Sequence, residues 1–288
     1  MGRQRERRET AGTDGGPVPG IHTIDTGTCE LVHDRFNPNG WVLHINGVPS
    51  SHIDLTDPAR LDFEYMRWIS SLVTSQWPST FRLRALHLGG GACSLARYFH
   101  SVYPDARQVV VELDGKLAEY VRGWFDLPKA PLLRLRVGEA RAVTETLTED
   151  TRDFIIRDVF AGALTPRPLT TAEFTTHIRR VLAPGGLYVV NSGDAPNLVN
   201  AREDAATIAA AFKHTVIIAD PAMLKGRRYG NMVMAGSDTP FGDDPQLARR
   251  LLGGAVPAHL WDDAQVRAFA AGSHVRHDPP SAQDLPVT

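Results

Sequence analysis

RALHLGGGACSLAR, residues 84–97, decides how this chain is read. A short apolar run, Ala85 to Leu88, delivers three glycines, Gly89, Gly90 and Gly91, into a helix start at Ser94. The next apolar run, QVVVELD, ends on an acid, Glu112, about 20 residues past the last glycine. Strand, glycine turn, helix, strand and acid together form the pattern with which α/β proteins hold an adenosine-containing ligand. Glycines let the backbone come close to it, and the acid accepts from two ribose hydroxyls.

Working outward, strands are predicted at 84–89, 107–112, 132–137, 153–158 and 186–191, and helices near 94–101, 114–125, 139–147, 170–182 and 199–212. This alternation predicts a parallel sheet with helices on both faces. Two final strands, HTVIIAD and YGNMVMAG, are joined only by PAMLKGRR, too short for a parallel crossover, so they predict an antiparallel hairpin. The fold class expected is therefore α/β, a methyltransferase-type, Rossmann-like doubly wound sheet with a terminal antiparallel hairpin. A nicotinamide dehydrogenase fits less well, because Ser94 stands where the third glycine of that fingerprint belongs.

Ahead of the glycines, residues 21–80 predict a small N-terminal β-module and a linking helix. ELVHDRF and GWVLHING alternate apolar and polar positions around Asn37-Pro38-Asn39-Gly40, and Asn46-Gly47 signals a hairpin into VPSSHIDL. Asp57 reads as the N-cap of the helix and Pro58 as its first residue, with Leu61, Tyr65, Trp68, Ile69 and Leu72 on one face. The nucleoside-binding domain spans 81–240, and DPQLARRLLGG and WDDAQVRAFAAG form outer helices within 241–272. Residues 1–20 and 273–288 are polar, rich in glycine or proline, and read as disordered tails dispensable for chemistry.

The 288 residues carry a formal net charge of −2, which gives no basis for a nucleic-acid or membrane-surface partner. No apolar run reaches the roughly 18 residues of a membrane span, and the N-terminal arginines lack the apolar stretch of a secretory signal. Cys29 and Cys93 form neither a metal spacing nor a disulfide framework, so a reducing, cytoplasmic setting is expected. Cys93 has no histidine assigned beside it and reads as a small helix-start residue rather than a nucleophile. The 11 histidines show no ligand spacing, and no metal is expected. The tryptophans read as packing residues.

Ligands of an open α/β sheet bind beyond the carboxyl ends of its strands. Those ends are Gly89–Gly91, then Glu112-Leu113-Asp114, Val137-Gly138-Glu139-Ala140, Asp158, and Asn191-Ser192-Gly193-Asp194. Acids finish three consecutive strands, which scattered surface charge would not do. Each acid alone could equally be a helix N-cap or a solvated turn. Glu112 is the candidate ribose ligand, and Glu139 is placed to accept from an adenine amino group. The candidate donor-binding set is Gly89, Gly90, Gly91, Glu112, Leu113, Glu139 and Ala140. Asp158 leads a stretch, DVFAGALTPRPLTT, with few helix or strand signals, where an Asp can take a proton from an attacking amine or hold a cation.

Together these segments resemble the spermidine synthase family of polyamine aminopropyltransferases over roughly residues 28–236. ING in GWVLHINGVPSS is similar to the family's LDG strand, and DPARLDFEYMRW to its DE–YHEM helix. GGGACS resembles GGGDGG, VELD resembles VEID, VGEAR resembles GDAR, FIIRD the strand carrying the catalytic Asp, and YGNMVMAGS the closing strand. The resemblance implies that Glu112 binds ribose, that Glu139 stands where an Asp binds adenine, and that Asp158 is the catalytic base.

Three departures point to the divergent, spermidine-synthase-like branch. Ala92 replaces the Asp that helps hold the donor's aminopropyl amine. Asp158-Val159-Phe160-Ala161 replaces DSxDP, so the second, acceptor-gripping Asp is missing. Phe63-Glu64 stands where Tyr-His is usual.

The expected activity is transfer of an aminopropyl or similar alkyl group from decarboxylated S-adenosylmethionine, or S-adenosylmethionine itself, to a small-molecule amine-type acceptor. The alternatives are an S-adenosylmethionine-dependent methyltransferase on the same fold and a non-catalytic homologue. The resemblance also implies a homodimer.

Overall fold

A computed structural model describes residues 15–162, 164–242 and 244–280. Most of the expected N-terminal tail, residues 1–14, and the last part of the C-terminal one, 281–288, lie outside the described residues.

Four antiparallel strands come first, paired in chain order: β1 (Gly20–Ile24), β2 (Gly27–His33), β3 (Gly40–Ile45) and β4 (Val48–Asp54). Helix α1 (Glu64–Gln76) leads into β5 (Arg84–Leu88), α2 (Ser94–Val102), β6 (Arg107–Glu112), α3 (Gly115–Trp124), β7 (Leu133–Val137), α4 (Ala140–Glu145) and β8 (Arg152–Arg157). A single 3-10 turn, Arg167–Leu169, precedes α5 (Ala172–Val181), β9 (Leu182–Asp194) and α6 (Val199–Ala211). The chain continues through β10 (His214–Ala219), α7 (Pro221–Leu224), β11 (Gly230–Ser237), α8 (Pro245–Leu252), β12 (His259–Trp261) and α9 (Asp263–Ala270).

The second sheet has eight strands in the order β12-β10-β11-β9-β8-β5-β6-β7. β9, β8, β5, β6 and β7 run parallel, while β11, β10 and β12 are antiparallel additions. The parallel sheet with a terminal hairpin is thus present, with β12 as a third antiparallel strand that HLW did not announce. Chain order reverses at β5, between β6 and β8, so the crevice of this sheet opens at their carboxyl ends. Phe99, Phe154, Phe174 and Tyr188 are fully buried against the sheet, and each aromatic buried in this way contributes about 1.5–3 kcal/mol.

The start of α1 differs from expectation. The Asp57 side chain accepts from Ala59 N at 3.0 Å, an i to i+2 bond that closes a turn rather than capping a helix. Arg67 then donates to the Leu61 and Asp62 carbonyls at 2.7 and 2.6 Å, which holds residues 61–62 off the helix axis. The helix begins at Glu64, with Phe63 as an N-cap that makes no side-chain bond. Tyr65, Trp68, Ile69 and Leu72 form its buried face as expected, and Leu61 is buried ahead of it.

Residues 273–280 also depart from the reading as a loose tail. They form no helix or strand, yet Arg276 is fixed by Glu203 and Asp204 at 2.8 Å each, and Asp278 by Arg141 at 2.6 Å. Charged groups spaced along an irregular segment carry no periodic signal, so composition hid a docked strand of chain.

Gly89 has φ +92°, and an added Cβ would overlap the Asp158 carbonyl oxygen. Gly47 has φ +80° with open space around it. Gly47→Ala should cost about 1–2 kcal/mol, the left-handed strain alone. Gly89→Ala should cost clearly more, because the Asp158 backbone must also move. Urea unfolding of the two variants checks this, and equal losses would show that β5 and β8 are free to part.

Candidate active site

The glycine turn is shaped by contacts on three sides. Gly90 N and Gly91 N donate to Glu112 Oε2 at 3.0 and 3.3 Å, and Asp114 N donates to Oε1 at 3.0 Å. Glu112 therefore braces the turn as well as facing the crevice: Oε2 gives both of its lone pairs to the turn, and Oε1 keeps one for a further donor. A Cβ on Gly91 would lie 2.6 Å from Ser51 Oγ. Strand β4 closes that side: Ser51 Oγ accepts from Ala92 N at 2.9 Å, the His52 carbonyl from Ser94 Oγ at 2.8 Å, and the Asp54 carbonyl from Arg97 at 2.9 Å. Ala92 is fully buried there. Cys93 caps α2 with φ +63°, and burial, with the Glu112 charge, pushes its thiol up to about 12. It is not a thiolate nucleophile.

Leu113 and Val137 follow on the ends of β6 and β7. They are 61% and 56% exposed, two apolar side chains presented to solvent beside Glu112. Val137 was not singled out in the sequence; its exposure alone marks it. Glu139 is the N-cap of α4, its Oε1 accepting from Arg141 N at 3.0 Å and its Oε2 from Ala142 N at 2.8 Å. Capping accounts for Glu139 without any ligand, and an adenine amino group would have to use the lone pairs that remain. Ala140 is buried in the core, so its side chain offers no contact to a ligand.

Asp158 lies at the end of β8, against Gly89. Its Oδ2 accepts from the Tyr65 hydroxyl at 3.0 Å and its Oδ1 from Asn191 Nδ2 at 2.8 Å. Burial raises the Asp158 carboxyl above its ordinary value, and these two bonds pull back against that shift. Tyr65 stays protonated, since burial and the Asp158 charge push the phenol well above its ordinary value. Asn191 is 2% exposed, and its Oδ1 has no hydrogen-bond partner. Tyr65 was visible in the sequence only as an apolar helix position, and Asn191 only as a strand end. Both partners come from elements distant in sequence, which no local pattern reports. The Phe63-Glu64 departure loses weight, because a tyrosine of the same helix reaches Asp158. A cavity of about 20 Å³, enough for one water, lies between Met66, His87, Gly90 and Asp158.

Beyond Asp158, the Tyr229 hydroxyl, the Phe160 ring and the Asn231 amide oxygen surround Gly193, at 3.2, 3.3 and 3.5 Å from where its Cβ would stand. Ala161, at the place of the missing second acid, is exposed. Away from this site, Asp34, His52 and Asp62 form a group on the N-terminal module, His52 Nε2 lying 3.0 and 3.1 Å from the two carboxylates. No helix among the described residues is long and apolar enough to cross a membrane.

A probable spermidine synthase from Corynebacterium glutamicum, solved by crystallography, is 49% identical, with a TM-score of 0.88 over 94% of this chain and 100% of that one. A polyamine aminopropyltransferase of Chromobacterium violaceum is 31% identical over 147 residues, 50% of this chain and 55% of that protein. The chain thus spans about half the length of the curated relatives it matches. Human methyltransferase-like protein 13, solved in complex with SAH, shares the fold at 16% identity and a TM-score of 0.53, over 77% of this chain and 99% of that one. No family model matches. The chain belongs to the spermidine synthase family, on a methyltransferase-like fold.

A carboxyl-carbon NMR titration should place Asp158 above the usual aspartate range near 4. Tyr65→Phe and Asn191→Leu should each move it further up, since each removes a bond to the charged form. With its folded pKa raised, ionised Asp158 detracts from stability. That cost is absent below the unfolded-state pKa near 3.9 and complete above the folded one. Asp158→Asn should then be more stable than the parent at neutral pH; a less stable variant would contradict the raised pKa.

Proposed function

We propose that this protein transfers an aminopropyl or similar alkyl group from a sulfonium nucleoside to a small-molecule amine. The observation that carries this reading is Asp158, a half-buried carboxylate beside the glycine turn whose side-chain partners among the described residues are the neutral groups of Tyr65 and Asn191. Glu112 takes the donor's ribose hydroxyls, Gly89–Gly91 allow the backbone to approach, and Leu113 and Val137 cover the base. The acceptor nitrogen forms a bond to the donor carbon as the carbon–sulfur bond breaks. The electron pair of that bond goes to sulfur, which leaves as a neutral thioether, and the nitrogen's proton goes to Asp158. The sulfonium needs little activation, so catalysis is in-line alignment plus proton removal.

One observation favours a second reading. Ala92 is sealed by Ser51 and leaves the donor's amine without its acid. A methyltransferase using intact S-adenosylmethionine relies less on that contact. Calorimetric titration with both sulfonium donors and with methylthioadenosine separates the readings, and no binding of any of the three would leave a non-catalytic homologue.

Because Glu112 also braces the turn, its ligand role is best tested by a double-mutant cycle. Removing the ribose 2′-hydroxyl of methylthioadenosine should cost the parent about 1.5–3 kcal/mol of binding, and Glu112→Gln should abolish most of that difference. An undiminished difference in the variant would remove Glu112 from the ribose site. Asp158→Asn should lower turnover roughly 100-fold or more with donor affinity unchanged. Joint loss of both would make Asp158 a donor ligand instead. With decarboxylated donor and 1,4-diaminobutane, turnover should fall below the common range of about 1–1,000 per second, since Ala161 offers the second ammonium no partner. Turnover inside that range would show another acid in its place.

A further inference from the structure

The irregular segment at the end of the described chain bridges α4, α5 and α6. Arg276 donates Nε to Glu203, Nη1 to Asp204 and Nη2 to Asn200 on α6, at 2.8, 2.8 and 2.9 Å. Its carbonyl accepts from Ala172 N at 2.8 Å, at the start of α5, and His277 Nδ1 lies 2.8 Å from Glu173. Asp278 takes a two-pronged contact from Arg141 of α4 at 2.7 and 2.6 Å.

Both anchoring acids hold an arginine that serves a second partner. Asp204, 3% exposed, accepts from Arg276 on one oxygen and from Arg157 on the other, the latter at 2.8 Å. Arg157 then donates to the Leu169 carbonyl at 2.8 Å, and Arg141 to the Pro168 carbonyl at 3.2 Å. Two consecutive carbonyls of the 3-10 turn are therefore gripped by two arginines: Arg157, whose partner Asp204 also takes Arg276, and Arg141, which Asp278 holds together with Glu145 at 2.9 Å. That turn closes the stretch that leaves the sheet at Asp158, and Arg157 is the residue immediately before Asp158.

We propose that residues 276–278 are a positioning staple for the acceptor side of the site. Arg276 and Asp278 fix Arg157 and Arg141, these fix the Leu169 and Pro168 carbonyls, and the path of the chain beyond Asp158 follows. This rests on Asp158 being the acceptor-side base. Arg276 and Asp278 touch no reacting atom; they act through the two arginines. Charge-assisted, bidentate bonds suit this task because they set direction as well as distance.

The test compares full-length Arg276→Gln, Asp278→Asn and the double variant with Arg250→Gln, which removes an exposed pair with Asp244 on α8. Amide hydrogen exchange at Arg167 and at residues 169–172 should quicken at least tenfold in the double variant and stay unchanged in the control, with β5 and β6 as protected as before. With decarboxylated S-adenosylmethionine and butylamine or 1,4-diaminobutane, KM for the amine should rise about tenfold while the Kd for methylthioadenosine stays within twofold. Unchanged exchange and amine KM in the double variant would overturn the proposal. So would exchange that quickens across the whole sheet together with lost nucleoside binding, which is general loosening. If the parent transfers nothing to either amine, the Asp158 reading is what fails, and the exchange comparison alone decides the staple. Asp278→Asn, which keeps the size of the side chain, gives the same comparison should Arg276→Gln not fold.

Discussion

The ligand end of this sheet depends on how closely β5 and β8 come together at their carboxyl ends. Gly89 rests against the Asp158 carbonyl where no Cβ fits, Asp158 N donates to the Leu88 carbonyl at 2.8 Å, and Gly89 N donates to the Val111 carbonyl at 3.0 Å. Three adjacent strands are locked at one level. Glu112 then lies one strand to one side of the glycine turn and Asp158 one strand to the other. Two strand spacings of about 4.8 Å each set the distance between them. It matches the scale on which a nucleoside and a reacting carbon have to be held.

The two neighbours at the end of β8 illustrate how differently buried charge is treated. Strand alternation sends Arg157 toward α6 and Asp158 toward α1. Arg157 meets a full carboxylate, Asp204, and the interior holds it as an ion. Asp158 meets a phenol and an amide, which bond its charge without cancelling it. A carboxylate so placed keeps an appetite for a proton or a cation that a salt-bridged one would lack.

Much of this was legible in the sequence, for a physical reason. Hydrophobic alternation along 84–191 recurs with the periods of strand and helix, and the terminal hairpin follows from the length of its connection. Glycines and Asp158 were readable because strand ends are where an open sheet must place its ligand. Glu139 takes the N-cap role that the sequence left open beside the ligand one. Asp57 looked like a cap but closed its own turn. The rest of what escaped came from tertiary contacts. Tyr65 and Asn191 are 93 and 33 residues from Asp158, and no spacing rule joins residues so far apart. Residues 273–280 have the composition of a tail, and only the acids on α6 and the arginine on α4 reveal them as attached.

The start of α2 lacks a side-chain cap of its own, and β4 holds it from outside through Ala92 N and the Ser94 and Arg97 side chains. Its bonds join residues 41, 42 and 43 apart in sequence, and Asp114 and Lys116 are tied to Thr26 and Asp25 across 88 and 91. Such contacts close long loops, each at an entropic cost that grows slowly with loop length. The wall of the glycine turn is therefore shared between two sheets, and the nucleoside site is complete only with the small sheet in place.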